Sequence, residues 1–292
     1  MTTSLAQTLR PVCIFSKHLH WVDPERLGAV VAELGFDGID LTVRPDGHVR
    51  PERVREDLPP LVRSLRAEGV EVAMLTTAVC SADEPHTEDI LHTAAELEIP
   101  LYRMGWLRYH AARPIADTLP ELAAQLRALA DLNRRCGIRG AYQNHAGAWV
   151  GATVWDLWLL LRELDTTWLG VQYDVRHAMV ESANAWVQGL RLVGDMINSL
   201  VIKDYTWQQV DDRWKASSVP LGTGAVDFRL FLSALQEAGT AVPVSVHFEY
   251  PLGGADQGSR TPSLPEREIL DPMKRDLRLW RELLRAHGER HG

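Results

Sequence analysis

Along the chain, short runs rich in aliphatic and β-branched residues alternate with longer stretches whose apolar positions follow the helical period. The runs at 12–16, 38–43, 70–76, 101–106, 139–144, 169–173, 199–203 and 243–249 predict strands. The stretches at 24–34, 51–68, 87–98, 114–136, 152–164, 183–195, 227–238 and 272–286 predict helices. Asp23 and Pro24 read as the cap and first position of the first long helix, and Gly137 as the stop after the fourth. Eight β–α units predict an α/β protein. The polar strand ends continue to the last strand and no Gly-rich phosphate loop follows the first. These features favour a single (β/α)8 TIM barrel over residues 1–292 against a doubly wound open sheet. The segments 205–224 and 250–269 follow strands seven and eight and are rich in Gly, Ser, Pro and charge. On a barrel they lie at the catalytic face, where they are expected to act as lids.

Four strands of the second half end on groups that do chemistry: Gln143-Asn144-His145, Tyr173-Asp174, Lys203-Asp204 and His247-Phe248-Glu249. Alternation along a strand puts Gln143 with His145, Val201 with Lys203, and His247 with Glu249 on shared faces. His177 follows Asp174 in what reads as a loop. On a barrel Gln143, Asp174, Lys203 and Glu249 converge near the axis, and oxygen donors of this kind suit Mg²⁺ or Mn²⁺. Lys203 beside them would pair with a carboxylate or serve as an acid/base group. From the first half, Arg44 and Arg103 would hold a carboxylate, a phosphate or sugar oxygens, with Asp40 near them. Trp21, Trp106 and Trp207 near strand ends would stack on a sugar. Each residue also has a plainer reading. A strand-terminal acid caps the next helix, Lys203 and Asp204 pair with each other, an arginine neutralises Asp40, and a lone histidine is a satisfied buried ring. Repetition at equivalent positions favours a site.

Composition narrows the classes. Apolar content of 46% and charged content of 24% are those of an ordinary globular protein. A net charge of -8 argues against a general nucleic-acid binder. Cys13, Cys80 and Cys136 form no CxxC pair and no disulfide framework, which points to a reducing compartment. With no secretory leader and no apolar span, the expected location is cytoplasmic, without a membrane partner. A homo-oligomer is compatible with this pattern.

Taken in order, Gly35-Phe36-Asp37-Gly38-Ile39-Asp40-Leu41, Gln143-Asn144-His145, Tyr173-Asp174 with His177, Ile202-Lys203-Asp204, Leu221-Gly222-Thr223-Gly224 with Val226-Asp227-Phe228, and Glu249 resemble the xylose-isomerase-like TIM-barrel superfamily of sugar and sugar-phosphate isomerases and epimerases. That resemblance implies a divalent metal held by a Glu, an Asp, a His and a second Glu, with the two glutamates moving protons beside a carbonyl. Asp174 takes the Asp position, Glu249 the last Glu position, and His177 that of a substrate-binding His. Two positions depart: Gln143 replaces the first Glu and Val201 the metal-binding His. Gln143 offers a neutral oxygen and cannot be a base; Val201 offers nothing. A metal would then rest on Gln143, Asp174 and Glu249, with Mg²⁺ or Mn²⁺ favoured over Zn²⁺. No organic cofactor is predicted.

The expected activity is that of an isomerase or epimerase in carbohydrate metabolism. Glu249 would abstract the proton next to a carbonyl, with Lys203, His145 and His247 in reach as its partners. His177, Arg44, Arg103, His247 and Asp40 are the expected substrate-binding set for a small carbohydrate. The alternatives are a lyase or hydrolase acting on an oxidised sugar, and a non-catalytic sugar-binding barrel.

Overall fold

The computed structural model describes residues 4–291. Eight parallel strands close into a barrel: β1 (Val12–Phe15), β2 (Gly38–Val43), β3 (Glu71–Thr77), β4 (Leu101–Arg103), β5 (Arg139–Gln143), β6 (Leu169–Asp174), β7 (Ile197–Ile202) and, last in the chain, β10 (Val244–Val246). Pairing of Val12 with Val244 and of Cys13 with Gly38 shuts the ring on both sides of β1. A barrel strand is covered inside by side chains and outside by helices, so every residue of β1, β2, β6, β7 and β10 is buried.

Helices α1 (Leu5–Thr8), α2 (Pro24–Leu34), α3 (Val54–Ala67), α4 (Thr87–Glu96), α5 (Ile115–Cys136), α6 (Val154–Leu161), α7 (Val175–Ser182), α8 (Trp186–Val193), α9 (Phe228–Glu237) and α10 (Glu266–His291) supply the outer layer. In α3 the buried residues Leu58, Leu61, Val62 and Leu65 recur at helical spacing, which is the stripe the sequence displays. Gly137 ends α5 with φ of 74°, a left-handed stop that glycine takes without strain. Asp23 sits at the cap position of α2, but its side chain makes no capping bond.

Four expectations are corrected. The segment after β7 is a hairpin, β8 (Asp204–Val210) and β9 (Arg213–Val219), closed by Asp211 and Asp212, both at positive φ. His177 lies in α7 and not in a loop. The last helix starts at Glu266 with Pro272 inside it, so that proline does not open it. The strand expected over 243–249 forms ladder pairs only at Val244–Val246, and His247 to Glu249 run on past the barrel rim. Among the described residues, no helix is long and apolar enough to cross a membrane.

Candidate active site

The rim of β6, β7 and β10 brings three charged groups together. Lys203 Nζ lies 3.1 Å from Asp174 Oδ2, 3.1 Å from Glu249 Oε2 and 2.8 Å from His177 Nε2. Its side chain is 3% exposed, that of Asp174 0%, and that of Glu249 25%. Asp204, next in sequence, points the other way, as strand alternation requires. Its carboxylate accepts the backbone N–H groups of Tyr205, Gly222, Gly224 and Val226 and so anchors the base of the hairpin. A side chain at Gly224 would collide with that carboxylate, which gives the Leu221-Gly222-Thr223-Gly224 run a structural role. Lys203 and Asp204 are therefore not a local ion pair.

Asp174 does two jobs at once. Oδ1 accepts the N–H of His177 and caps α7, while Oδ2 faces Lys203 and accepts the Nε2 amide of Gln143 at 2.9 Å. Asn144 fixes the backbone of Asp174 in both directions, Nδ2 donating to its carbonyl and Oδ1 accepting its N–H. At the last strand, the N–H of Phe248 donates to Nε2 of His18, which holds the stretch between His247 and Glu249.

The donors do not fit a divalent ion between the two acids. An ammonium already lies within hydrogen-bond reach of both carboxylates. The orientation of the Gln143 amide is fixed by chemistry: Arg103 only donates and Asp174 only accepts. The Gln143 oxygen is therefore taken by Arg103 Nη1 at 3.1 Å, and its nitrogen faces Asp174. Val201, beside Asp174 in the β6–β7 register, is wholly buried and offers no donor. Among the described residues no group of three or more His, Cys, Asp or Glu is placed to hold a metal.

Above this cluster opens a cavity of about 280 Å³, at the small end for ligand sites and suited to a monosaccharide-sized molecule. Arg44, Arg103, Gln143, His145, Lys203, His247 and Glu249 all line it. Glu249 is its one carboxylate among the described residues. Burial would raise that group, but Lys203, His247 and Lys17 outweigh it and hold Glu249 well below the usual carboxylate range. Burial pushes His145 down to about 4, with Lys203 adding to the effect. His145 Nδ1 donates to the carbonyl of Ala146 at 2.9 Å, so in the neutral ring Nε2 is the free acceptor. Burial likewise lowers His247 to about 3 and His177 well below the ordinary value. His247 stacks on Phe15 with ring centres 4.3 Å apart, and its Nε2 is buried without a partner.

Three expected site residues lie outside the cavity wall. Asp174 meets it through Lys203 and Gln143, and His177 through Lys203 and the ring of His145, 4.1 Å away between centres. Asp40 is fully buried, raised by that burial, and its oxygens accept the hydroxyls of Thr76 at 2.7 Å and Ser245 at 2.8 Å. Of the tryptophans, Trp106 lines the cavity while Trp21 and Trp207 do not. Absent from the sequence-derived set are Phe15 at the end of β1, Lys17 just beyond it, Ser218 on β9 and Gln257 in the final loop. The pattern Phe15-Ser16-Lys17-His18 at the end of the first strand is a signal for the first two. The last two sit in the segments expected as lids, and each puts one side chain on the cavity.

Comparison with solved structures gives the same barrel with different chemistry attached. A D-tagatose 3-epimerase-like protein superimposes with a TM-score of 0.69 at 17% identity, covering 97% of this chain and 100% of its own. The IOLI protein, solved with a zinc atom bound, gives 0.72 at 17% identity, with 95% and 99% covered. AsbF of Bacillus anthracis, described as a probable 3-DHS dehydratase, gives 0.69 at 13% identity, with 93% and 98% covered. At such identities the likeness concerns the fold. No curated protein matches the chain in sequence. A sequence profile matches residues 29–282, nearly all of the barrel, and by that match the chain belongs to the xylose isomerase-like TIM barrel family.

Proposed function

We propose that the barrel is an enzyme that moves a proton at the carbon next to a carbonyl, interconverting isomers of a small sugar or sugar derivative. The observation that carries this reading is Glu249: one ionised carboxylate facing a monosaccharide-sized cavity, fixed by Lys203 at 3.1 Å and His247 at 3.5 Å. A carboxylate held this acidic is a weak base. The carbon it deprotonates must be made acidic by stabilising the enediolate oxygen. Arg103, which forms no ion pair among the described residues, lines the same cavity and supplies that positive charge, while Lys203 fixes the base. His145, neutral with Nε2 open, is the group placed to take or relay the hydroxyl proton.

One base can take a proton and return it on the same face, which gives aldose–ketose isomerisation. If a β-hydroxyl leaves instead, the same first step gives dehydration, and the single carboxylate serves that outcome equally. Inversion at one carbon needs a second proton donor on the opposite face, a role for which Gln143 is chemically unfit. No step here is routed through a metal, because the ammonium and the Gln143 amide already engage the acids that would bind it.

The test is incubation of the purified protein with a panel of aldoses, ketoses and their oxidised forms, with products read by mass and NMR. Isomerisation conserves mass and dehydration loses one water. Absence of any product across the panel refutes both.

A further inference from the structure

We propose that the cavity takes a substrate carrying an anionic group, a carboxylate or a phosphate ester, gripped by Lys17, Arg44 and Arg103. The inference deepens the reading above by naming the substrate class, but its binding half stands on a separate observation. The cavity is lined by four cations, Lys17, Arg44, Arg103 and Lys203, and by Glu249 as the one carboxylate among the described residues. Lys203 is fully answered by Asp174 and Glu249. Among the described residues the other three form no ion pair. Most nearby carboxylates are committed elsewhere, and Asp46, which attracts Arg44 through space, forms no ion pair with it among the described residues. Glu249 is engaged with Lys203, Asp40 with the Thr76 and Ser245 hydroxyls, and Asp256 with the N–H groups of Leu252 and Gly254.

How the three cations are held sharpens the point. Arg103 Cζ lies 4.4 Å over the ring of Trp106, Arg44 Cζ 5.5 Å over Phe15, and Lys17 Nζ 5.8 Å over the same Phe15 ring. An aromatic face positions a cation without neutralising it and leaves its N–H groups free to donate. Arg103 is only 4% exposed, yet its Nε is buried with no partner, and its remaining bonds go to neutral oxygens of Gln143 and Thr77. An orphaned donor on a buried guanidinium is costly unless a ligand completes it. Arg44 and Arg103 repel each other across the site, and burial weakens the protonated forms of Lys17, Arg44 and Arg103 alike. An anion placed among them relieves all of these penalties at once. It would also add charge-assisted hydrogen bonds, and Arg44 and Arg103 have the fork geometry that matches carboxylate and phosphate oxygens.

The test is titration calorimetry of the full chain at low ionic strength with gluconate, glucose 6-phosphate and neutral glucitol. Gluconate and glucose 6-phosphate represent the two sources of the anion. At least one of the two anions should bind about tenfold or more tighter than glucitol, and Lys17→Gln and Arg44→Gln should each weaken that anion by about tenfold or more, well beyond any change in glucitol binding. Both variants sit at partly exposed positions, and circular dichroism melting checks that they fold. Anions binding no tighter than glucitol, or anion affinities unchanged in both variants, overturn the proposal. The two readings fail separately. Anion binding without product from any sugar overturns the isomerase reading and leaves the anion site standing. Turnover confined to neutral sugars without anion binding does the reverse.

Discussion

Replacing Lys203 by methionine keeps most of the stem volume and removes the charge that joins Asp174, His177 and Glu249. The cost can be worked from the contacts. Lys203 Nζ is 3.1 Å from each carboxylate, but only Asp174, with 0% exposure, is left without water when the ammonium goes. Glu249 is 25% exposed and solvent screens much of its share. Breaking a buried pair by removing one partner costs about 3–5 kcal/mol, chiefly the penalty of the acid left behind. For a chain of this size that lowers the melting temperature by roughly 5–15 °C. The loss has a definite pH signature. Burial already raises Asp174 above its usual 3.8, and without Lys203 it rises further. An acid raised in the folded state binds its proton more readily there than in the unfolded chain. The deficit of Lys203→Met against wild type therefore narrows as pH falls towards 4 and widens as pH rises to neutrality. Melting both proteins by calorimetry from pH 4.5 to 7.5 reads this directly. A variant as stable as wild type, or a deficit that does not change with pH, refutes the pairing argument. The shorter Lys203→Ala opens the space between the two acids. It should gain melting temperature from Mn²⁺ where wild type gains none, and more so with Gln143→Glu and Val201→His added. Equal gains in wild type and variant refute the idea that the ammonium holds that position.

Two further outcomes follow from the same structure. Asp204→Asn takes away one of the two oxygens that accept four backbone N–H groups, so the hairpin base should loosen by about 1–3 kcal/mol. Faster amide exchange at Gly222, Gly224 and Val226 with an unchanged barrel core is the expected reading, and unaltered exchange there contradicts the anchor role. Burial lowers His20 and His145 to about 4, and His48 and His247 to about 3. A histidine lowered in the fold stabilises it above the unfolded value of 6.5 and loses that contribution as pH falls through the folded value. Wild-type melting temperature should therefore fall steadily from pH 6.5 towards 4, with Asp40 and Asp174 opposing only in part; a flat profile over that range contradicts the buried neutral rings.

Much of the site was legible because strand alternation and barrel closure convert chain position directly into location. Gln143, Lys203 and Glu249 fall at strand ends, and the structure puts all three on one cavity. The relation between them was not legible. Alternation turns Lys203 away from Asp204, but only three-dimensional packing decides that its ammonium sits between Asp174 and Glu249. The hairpin does not register as strands in the sequence because its polar residues bury no face against the barrel sheet, as the exposed pattern of β9 shows. Its turn carried a weak signal in Asp211-Asp212, two residues that tolerate positive φ less readily than Asn-Gly. Helix α7 is eight residues long, too short for periodicity to register, and its cap is the same Asp174 that serves the site. Lys17 sits in the Phe15-Ser16-Lys17-His18 pattern, but its role shows only where the fold sets it over Phe15 on the cavity wall, with no ion pair among the described residues.

The most direct test of Glu249 as the base is uptake of solvent deuterium at the carbon next to the carbonyl. It is followed by NMR with the sugars and sugar acids of the panel, comparing chelator-treated wild type with Glu249→Gln. Wild type should exchange after chelation, and Glu249→Gln should lose about 10²–10⁴ of that rate while keeping its fold. Exchange at the wild-type rate in Glu249→Gln, or none in wild type with any substrate of the panel, contradicts the assignment.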